Sequence, residues 1–275
     1  MIIDFHTHIF PPEISKSREK YLTDQGFKLL YNSEKSVMAD ALDLTKYMKS
    51  NGINAAVAMS FPWIRDRFCV FHNEYMAKIA AEYRGEIFPF GMIPRKSKSP
   101  VFEAEKIKGS ELYGIGEVAF YEGMDKGSWK FLEKVFEGAL LCDLPVCLHV
   151  NEPLGHSYGG KYNTPFGQLY ELIKKFPKLI IILSHWGGGI LFYELMPEVR
   201  DAFKNVYYDT AASPYLYKDN IYKTAIDICD SKKILFGSDF PLLGAKRYFE
   251  PLKALCDSEV SEISGLNAME VLRLG

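Results

Sequence analysis

Residues 2–8 read IIDFHTH, and the rest of the chain is best read outward from this stretch. Ile2–Phe5 has the apolar, β-branched composition of a buried strand. Alternate residues of a strand share a face. Asp4, His6 and His8 are therefore predicted to point the same way, with the histidines at the strand's C-terminal end. Two imidazoles side by side on an inward face are costly unless something binds them. A divalent cation accepts neutral imidazole nitrogen and removes that cost. Two surface histidines on a frayed terminus are the plain alternative, so the pair needs support from elsewhere in the chain.

Seven further apolar runs follow: Ala55–Met59, Ile87–Met92, Tyr113–Val118, Val146–Val150, Leu179–Ser184, Val206–Tyr208 and Ile234–Gly237. They lack polar alternation, as strands buried on both faces do. Amphipathic stretches lie between them, at Phe71–Tyr83, Trp129–Leu141, Phe166–Lys175, Tyr222–Cys229 and Phe249–Leu255. Strand and helix in alternation predict a parallel sheet. Eight strands close it, which predicts an α/β fold, a (β/α)8 TIM barrel. A chain of 275 residues is near the ~250 typical of one such domain, so residues 1–275 are read as a single domain. Gly52 and Gly85 are placed as helix C-caps. Pro145 and Pro177 sit just before strands, where helices have ended. Pro11–Ser36 is long for a first strand–helix connection and reads either as a lid over the site or as an ordinary surface loop.

Composition removes several classes. A net charge of -2 offers no basic excess for nucleic acid. Asp4 interrupts any signal-peptide core. No run approaches the roughly 18 apolar residues that would span a bilayer. A cytoplasmic protein without membrane contact is expected. The five cysteines, Cys69, Cys142, Cys147, Cys229 and Cys256, form no C-x-x-C pair. A disulfide framework or Cys-rich zinc site is not expected. Cys142 and Cys147 read as small buried hydrophobes.

The support for the histidine pair comes from the other strand tips. His149 ends the fifth run, His185 follows the sixth and Asp239 follows the eighth. Active sites of barrels sit at that end. One such residue is more often a hydrogen-bonded structural group, but five at equivalent places point to one metal site. Glu117 ends the fourth run and reads as a further ligand, with a barrel carboxylate paired to a buried base as the alternative. A catalytic metal site keeps one position open, and Asp239 beside a bound water could take its proton. Other loop residues, Trp63, Arg65, Arg67, Asn151, His156, Lys161, Tyr162, Trp186, Tyr215 and Tyr217, are candidates to hold substrate, although for each charge a solvated role is the simpler reading. His72 falls on a helix and is not read as a ligand. Gly187–Gly189 lack phosphate-loop spacing and read as a tight turn close to the metal.

The segments IDFHTH, YGIGEV, LPVCLHVNEP, KFPKLIIILSHWGGG, VYYDTAAS, ILFGSDFPLL and LNAMEVLRL span residues 3–274 in order. Together they resemble the amidohydrolase superfamily, and within it the amidohydrolase-2 branch that contains the aminocarboxymuconate-semialdehyde decarboxylase group. The resemblance implies that His6, His8, His149 and Asp239 bind metal. It implies that His185 is either a second-metal ligand or a general acid/base, and that Asp239 ligates the metal or accepts a proton. Glu117 is similar to the carboxylate of the binuclear deoxyribonuclease-like branch, which many decarboxylase relatives lack. No lysine on the fourth run offers itself for carbamylation: Lys108 precedes it and Lys126 follows it. The expectation is a metal-dependent hydrolase of a small amide, lactone or ester, with one or two divalent cations, zinc first. The alternative is a metal-dependent non-oxidative decarboxylase or hydratase of a small unsaturated or aromatic acid. A barrel with a purely structural metal ranks last, because such a site is closed by four ligands and more donors converge here. The partner is a small molecule, with homo-oligomerisation left open.

Overall fold

The computed structural model describes residues 1–274. Eight parallel strands pair in chain order: β1 (Ile3–His8), β2 (Ala55–Met59), β3 (Ile87–Gly91), β4 (Gly114–Val118), β5 (Val146–Leu148), β6 (Ile181–Leu183), β7 (Val206–Asp209) and β8 (Ile234–Leu235). The chain after β8 returns along β1. Phe5 N–H donates to the Phe236 carbonyl at 2.7 Å and His8 N–H to that of Phe240 at 2.7 Å. These bonds bring the two ends of the sheet together and give the (β/α)8 TIM barrel expected from the sequence.

Both faces of the strands are covered, which is why their sequences are apolar throughout. One set, including Ile3, Phe5, Val57, Met59, Phe90, Ile182 and Leu235, packs together inside the barrel. Their neighbours, such as Ala56, Ile115, Val146, Leu148, Leu183 and Tyr208, belong to the larger layer beneath the helices. Inside, the Phe5 and Phe90 rings meet edge to face at 5.9 Å and close the floor under the mouth of the barrel.

The first connection folds rather than looping over the surface. It forms three short helices, α1 (Pro12–Lys16), α2 (Arg18–Tyr21) and α3 (Gln25–Tyr31). Asp24 caps α3 by accepting from Phe27 N–H. Phe27 is fully buried and stacks on Trp63 at 4.9 Å and on Tyr31 at 4.9 Å. Four longer helices carry the next layer: α4 (Ala41–Asn51), α5 (Asp66–Glu82), α6 (Pro100–Gly109) and α7 (Lys126–Cys142), followed by α8 (Phe166–Lys175). Gly52 does end α4 in the left-handed conformation, with φ +67°.

Several sequence expectations need correcting. Gly85 is not a cap: Tyr83 closes α5, and Gly85 belongs to the turn beyond it. The last predicted helix, Phe249–Leu255, runs instead over Lys246–Leu252. Pro251 lies inside its last turn. Cys147 is buried as expected, whereas Cys142 is half-buried. Among the described residues no helix is long and apolar enough to cross a membrane.

Asp4 corrects the reading of β1 itself. Its carboxylate does not share a face with the histidines. It accepts from Tyr47 Oη of α4 at 2.8 Å and from Ser238 N–H at 2.9 Å. The pairing of β1 with β2 shifts register between Asp4 and Thr7. Such an irregularity resets the alternation of side chains. Thr7 then bonds outward to the Val57 carbonyl, and His6 and His8 turn into the mouth.

Candidate metal centre

His6, His8 and Asp239 meet where β1 and β8 end. His6 Nε2 lies 3.0 Å from His8 Nε2, and Asp239 Oδ1 lies 3.3 Å from His8 Nε2 and 3.8 Å from His6 Nε2. Asp239 N–H donates to the His6 carbonyl at 2.9 Å, which pins the loop after β8 to β1. Gly237 makes the approach possible, because a Cβ there would sit 2.7 Å from His6 Cβ.

Glu117, His149 and His185 form a second group at the C-terminal ends of β4, β5 and β6. The β4–β5 register shifts between Ile115 and Val118, and Glu117 turns inward within that irregularity. Its Oε1 accepts from His149 Nδ1 at 2.9 Å and lies 3.7 Å from His185 Nε2. His185 Nε2 is 3.2 Å from His149 Nδ1. Glu117 also joins the two groups: its oxygens are 3.8 Å from His6 Nε2 and 3.9 Å from His8 Nε2. All six site residues expected from the sequence thus converge at the C-terminal mouth of the barrel.

An unusual backbone aims His185. Residues 185–189 are consecutively left-handed, with φ of +58° at both His185 and Trp186. Bulky residues rarely adopt that conformation, which costs of order 1–3 kcal/mol at each. Trp186 is fully buried and its indole donates to Ser213 Oγ. Gly188 is obligatory, since a Cβ there would lie 2.4 Å from the Asn151 carbonyl oxygen. The three glycines therefore do carry a tight turn past the site.

The hydrogen-bond network assigns protons to the rings. His6 Nδ1–H donates to Asp209 Oδ2 at 2.7 Å, and His185 Nδ1–H donates to the Ala211 carbonyl at 3.0 Å. Both leave an Nε2 lone pair facing the mouth. His149 is the reverse. Asn151 Oδ1 accepts from Tyr162 N–H, so its Nδ2 donates to His149 Nε2 at 2.9 Å. The His149 proton is then on Nδ1, pointed at Glu117.

Electrostatics follow from this packing. Burial alone would lower the His6 pKa, but the Asp209 and Glu117 carboxylates reverse it and hold it well above the usual histidine value. Burial would raise Glu117, yet His149, His6 and His185 keep it well below the carboxylate range. Asp239 is likewise lowered to about 2, against burial, by its bond to His8 and by the charges of His6, His8 and His185. Glu117 and Asp239 are thus held ionised by positive charge on the neighbouring imidazoles, a charge that a bound cation would supply in their place.

A divalent cation fits these donors. Two imidazole nitrogens facing each other at 3.0 Å require either a proton between them or a shared cation. Metal–nitrogen and metal–oxygen bonds of about 2.0–2.2 Å place neighbouring donors about 3–4 Å apart. The spacings of His6, His8, Asp239 and Glu117 match.

Sequence reasoning missed Asp209. It is fully buried at the tip of β7 and touches both His6 and His185. The signal was present, because an acid directly after VYY is the same signal as Asp239 after FGS; ending the strand at Tyr208 left it out. Most of the candidate substrate contacts are occupied elsewhere. Trp63 is core and donates to His72 Nδ1, while His72 Nε2 donates to the Ile9 carbonyl. Arg65 Nε donates to the Thr23 carbonyl, and the Arg67 guanidinium covers Phe68. Lys161 bonds the carbonyls of Leu154 and His156. Tyr215 is exposed. Asn151 and Tyr162 do reach the site, both through His149.

Comparison with known proteins places the molecule. The amidohydrolase family model matches residues 3–274. The chain belongs to the amidohydrolase family. The amidohydrolase barrel is shared with solved structures at low identity. A 5-carboxyvanillate decarboxylase from Sphingomonas paucimobilis superposes with TM-score 0.76 at 15% identity, covering 99% of this chain and 98% of that one. A dihydroxybenzoic acid decarboxylase from Polaromonas, with bound manganese and 2-nitroresorcinol, gives 0.70 at 17%, covering 99% and 97%. A putative amidohydrolase from Staphylococcus aureus gives 0.69 at 20%, covering 99% of each chain. No curated protein sequence matches the chain.

These findings overturn the expectation of a hydrolase acting on an amide, lactone or ester. Similar solved structures named for a specific reaction include 5-carboxyvanillate and dihydroxybenzoate decarboxylases. That expectation rested on Glu117, and a carboxylate among cationic donors selects no reaction by itself. A divalent cation is supported by the family and by the manganese-bound structures, but zinc in particular is not.

Proposed function

We propose that this amidohydrolase is a metal-dependent non-oxidative decarboxylase of a small aromatic carboxylic acid. The observation that carries the proposal is the pairing of a donor cluster with an aromatic wall. The Tyr121 ring packs 5.4 Å from the His149 ring, Tyr162 lies 5.7 Å from it on another side, and Phe61 links Tyr121 to Tyr31 of α3 at 5.9 and 5.8 Å. A flat ring entering the mouth would lie against these faces with its carboxylate toward the donors. The resemblance in fold to decarboxylases of hydroxylated benzoates supports the same substrate class.

The cation is assigned to His6, His8 and Asp239, with Glu117 as the fourth donor. When bound, it would orient the substrate oxygens and stabilise charge developing on them. His149 and His185 are kept for the proton. In decarboxylation the carbon–carbon bond breaks to release carbon dioxide, its electron pair stays on the ring carbon, and that carbon takes one proton. We assign its delivery to His185 Nε2, which takes up a proton from solvent while Nδ1–H stays on the Ala211 carbonyl and passes it to the ring carbon; His149, 3.2 Å away, keeps its single proton on Nδ1 and positions that ring. Asp239, ionised well below neutrality, is the acceptor for the acidic hydrogen of a ring hydroxyl on the substrate and returns it to that oxygen as the product leaves.

The test is direct. Protein reconstituted separately with manganese and with zinc is given a panel of hydroxybenzoates in D₂O. The expected result is carbon dioxide release with one deuterium at the vacated ring position. No release from any acid in the panel, with turnover of esters or lactones instead, would overturn the proposal.

A further inference from the structure

We infer that Asp209 is a positioning residue that sets His6 for cation binding and fixes the backbone that aims His185. One carboxylate holds two unlike things. Its Oδ2 accepts from the His6 ring at 2.7 Å, and its Oδ1 accepts from the His185 backbone N–H at 2.8 Å. A third donor, Ala211 N–H, reaches Oδ1 at 3.1 Å.

Each contact has a separate consequence. The bond to Nδ1 fixes the His6 tautomer, so the lone pair lies on Nε2 beside His8 and not on the side away from the mouth. A carboxylate behind a ligating imidazole also raises its basicity. The bond to His185 N–H holds a residue at φ +58° that would otherwise relax. Releasing it would swing the ring away from His149. Asp209 therefore couples β1 and β6 through β7, and the carboxylate is fully buried, so no water can replace it.

An amide cannot do the same work. In Asp209→Asn one side of the group presents an oxygen and the other an NH₂. Either the His6 Nδ1–H or the His185 N–H then faces a donor. Volume and shape are nearly unchanged, so the substitution removes the double acceptance and little else.

The inference uses cation binding at His6 but not the identity of the substrate, so it stands or falls separately from decarboxylation. Manganese and zinc affinities of the full chain are measured by chelator competition, with no substrate present. Asp209→Asn is expected to bind either metal about 10–100-fold more weakly, the range for a lost partner behind a metal ligand. Glu194→Gln is the control. Glu194 is an equally buried carboxylate on the outer side of β7, bonded to Tyr208 and Lys233. It is expected to lower the melting temperature while leaving metal affinity within about twofold. Folded Asp209→Asn with wild-type affinity would overturn the inference, as would an equal loss in both variants. Ring-nitrogen NMR of the metal-free wild type gives a reading that needs no variant. The His6 Nδ1 must carry a proton bonded to Asp209, and an unprotonated Nδ1 would also refute the role.

Discussion

The two halves of the centre differ in how their hydrogen bonds are spent. His6, His8 and Asp239 come from adjoining strands, and the bonds that hold them run away from the mouth: His6 to Asp209, and the Asp239 backbone to the His6 carbonyl. Their nitrogen and oxygen atoms are left facing one another. Glu117, His149 and His185 come from three strands, and their bonds run among themselves, with Asn151 closing the network behind His149. The first half aims its ring and carboxylate atoms at one another across 3.0–3.8 Å, and the second is a hydrogen-bonded network that fixes where each ring proton lies. Donors left unspent suit a cation; donors already paired suit proton transfer.

Changing His6 and His8 together to alanine would test the first half most severely. All bound metal is expected to be lost by elemental analysis, from about one equivalent in the wild type. Two equivalents in the wild type, the second persisting in the double variant, would make the two halves alike and break the contrast.

Asp239→Asn comes next. It keeps the volume and one acceptor but removes the charge, and kcat is expected to fall by at least about 10²-fold, with circular dichroism unchanged. Near-normal turnover would remove Asp239 from the proton's path.

Glu117→Gln probes the residue the halves share. A neutral amide no longer accepts a charge-assisted bond from His149, so a fall in kcat of about tenfold or more is expected, with metal still present. A variant that loses its metal, with full turnover restored by excess metal, would place Glu117 with the first half alone.

His72 gives a smaller effect in stability. It is a fully buried histidine outside the centre, with both ring nitrogens engaged. Burial lowers its pKa from 6.5 to about 3. A group depressed in the folded state stabilises the fold fully above its unfolded pKa. That contribution is lost as pH falls from about 6.5 toward 3, at up to about 1.4 kcal/mol per unit. His72→Gln should flatten this acid limb in denaturant titrations while metal affinity is untouched. An unchanged limb would show that His72 is not its source.

The smallest effect is expected at the mouth's outer charges. Lys161→Ala and Arg67→Ala should each alter stability by no more than about 0.5 kcal/mol and leave metal content unchanged. A large rise in KM in either would bring that charge back as a substrate contact.

Much of this was legible in the sequence because local patterns repeat at every strand. Apolar runs give the eight strands, helical spacing gives the layer around them, and histidines or acids at the tips of the first, fourth, fifth, sixth and eighth runs give the six residues of the centre. Side-chain direction was less legible. Period-two reading assigned Asp4 to the face of His6 and His8, but the register shift in β1 sends it to Tyr47 and Ser238. A bulge depends on how two strands pair, and one strand's sequence does not contain its partner.

By itself, then, the chain determined an eight-stranded barrel and the donors at its mouth, since burial on both strand faces and a fixed tip position leave little choice. Tertiary structure alone decided which donors are free and which are paired. It also brought in Asp209, whose oxygens meet a ring 203 positions away and a backbone N–H 24 positions away. The left-handed run that aims His185 belongs to the same class, because its strain is tolerable only where Asp209, Ser213 and the Asn151 backbone hold it. Such contacts join residues with no relation along the chain, and they exist only once the strands have closed.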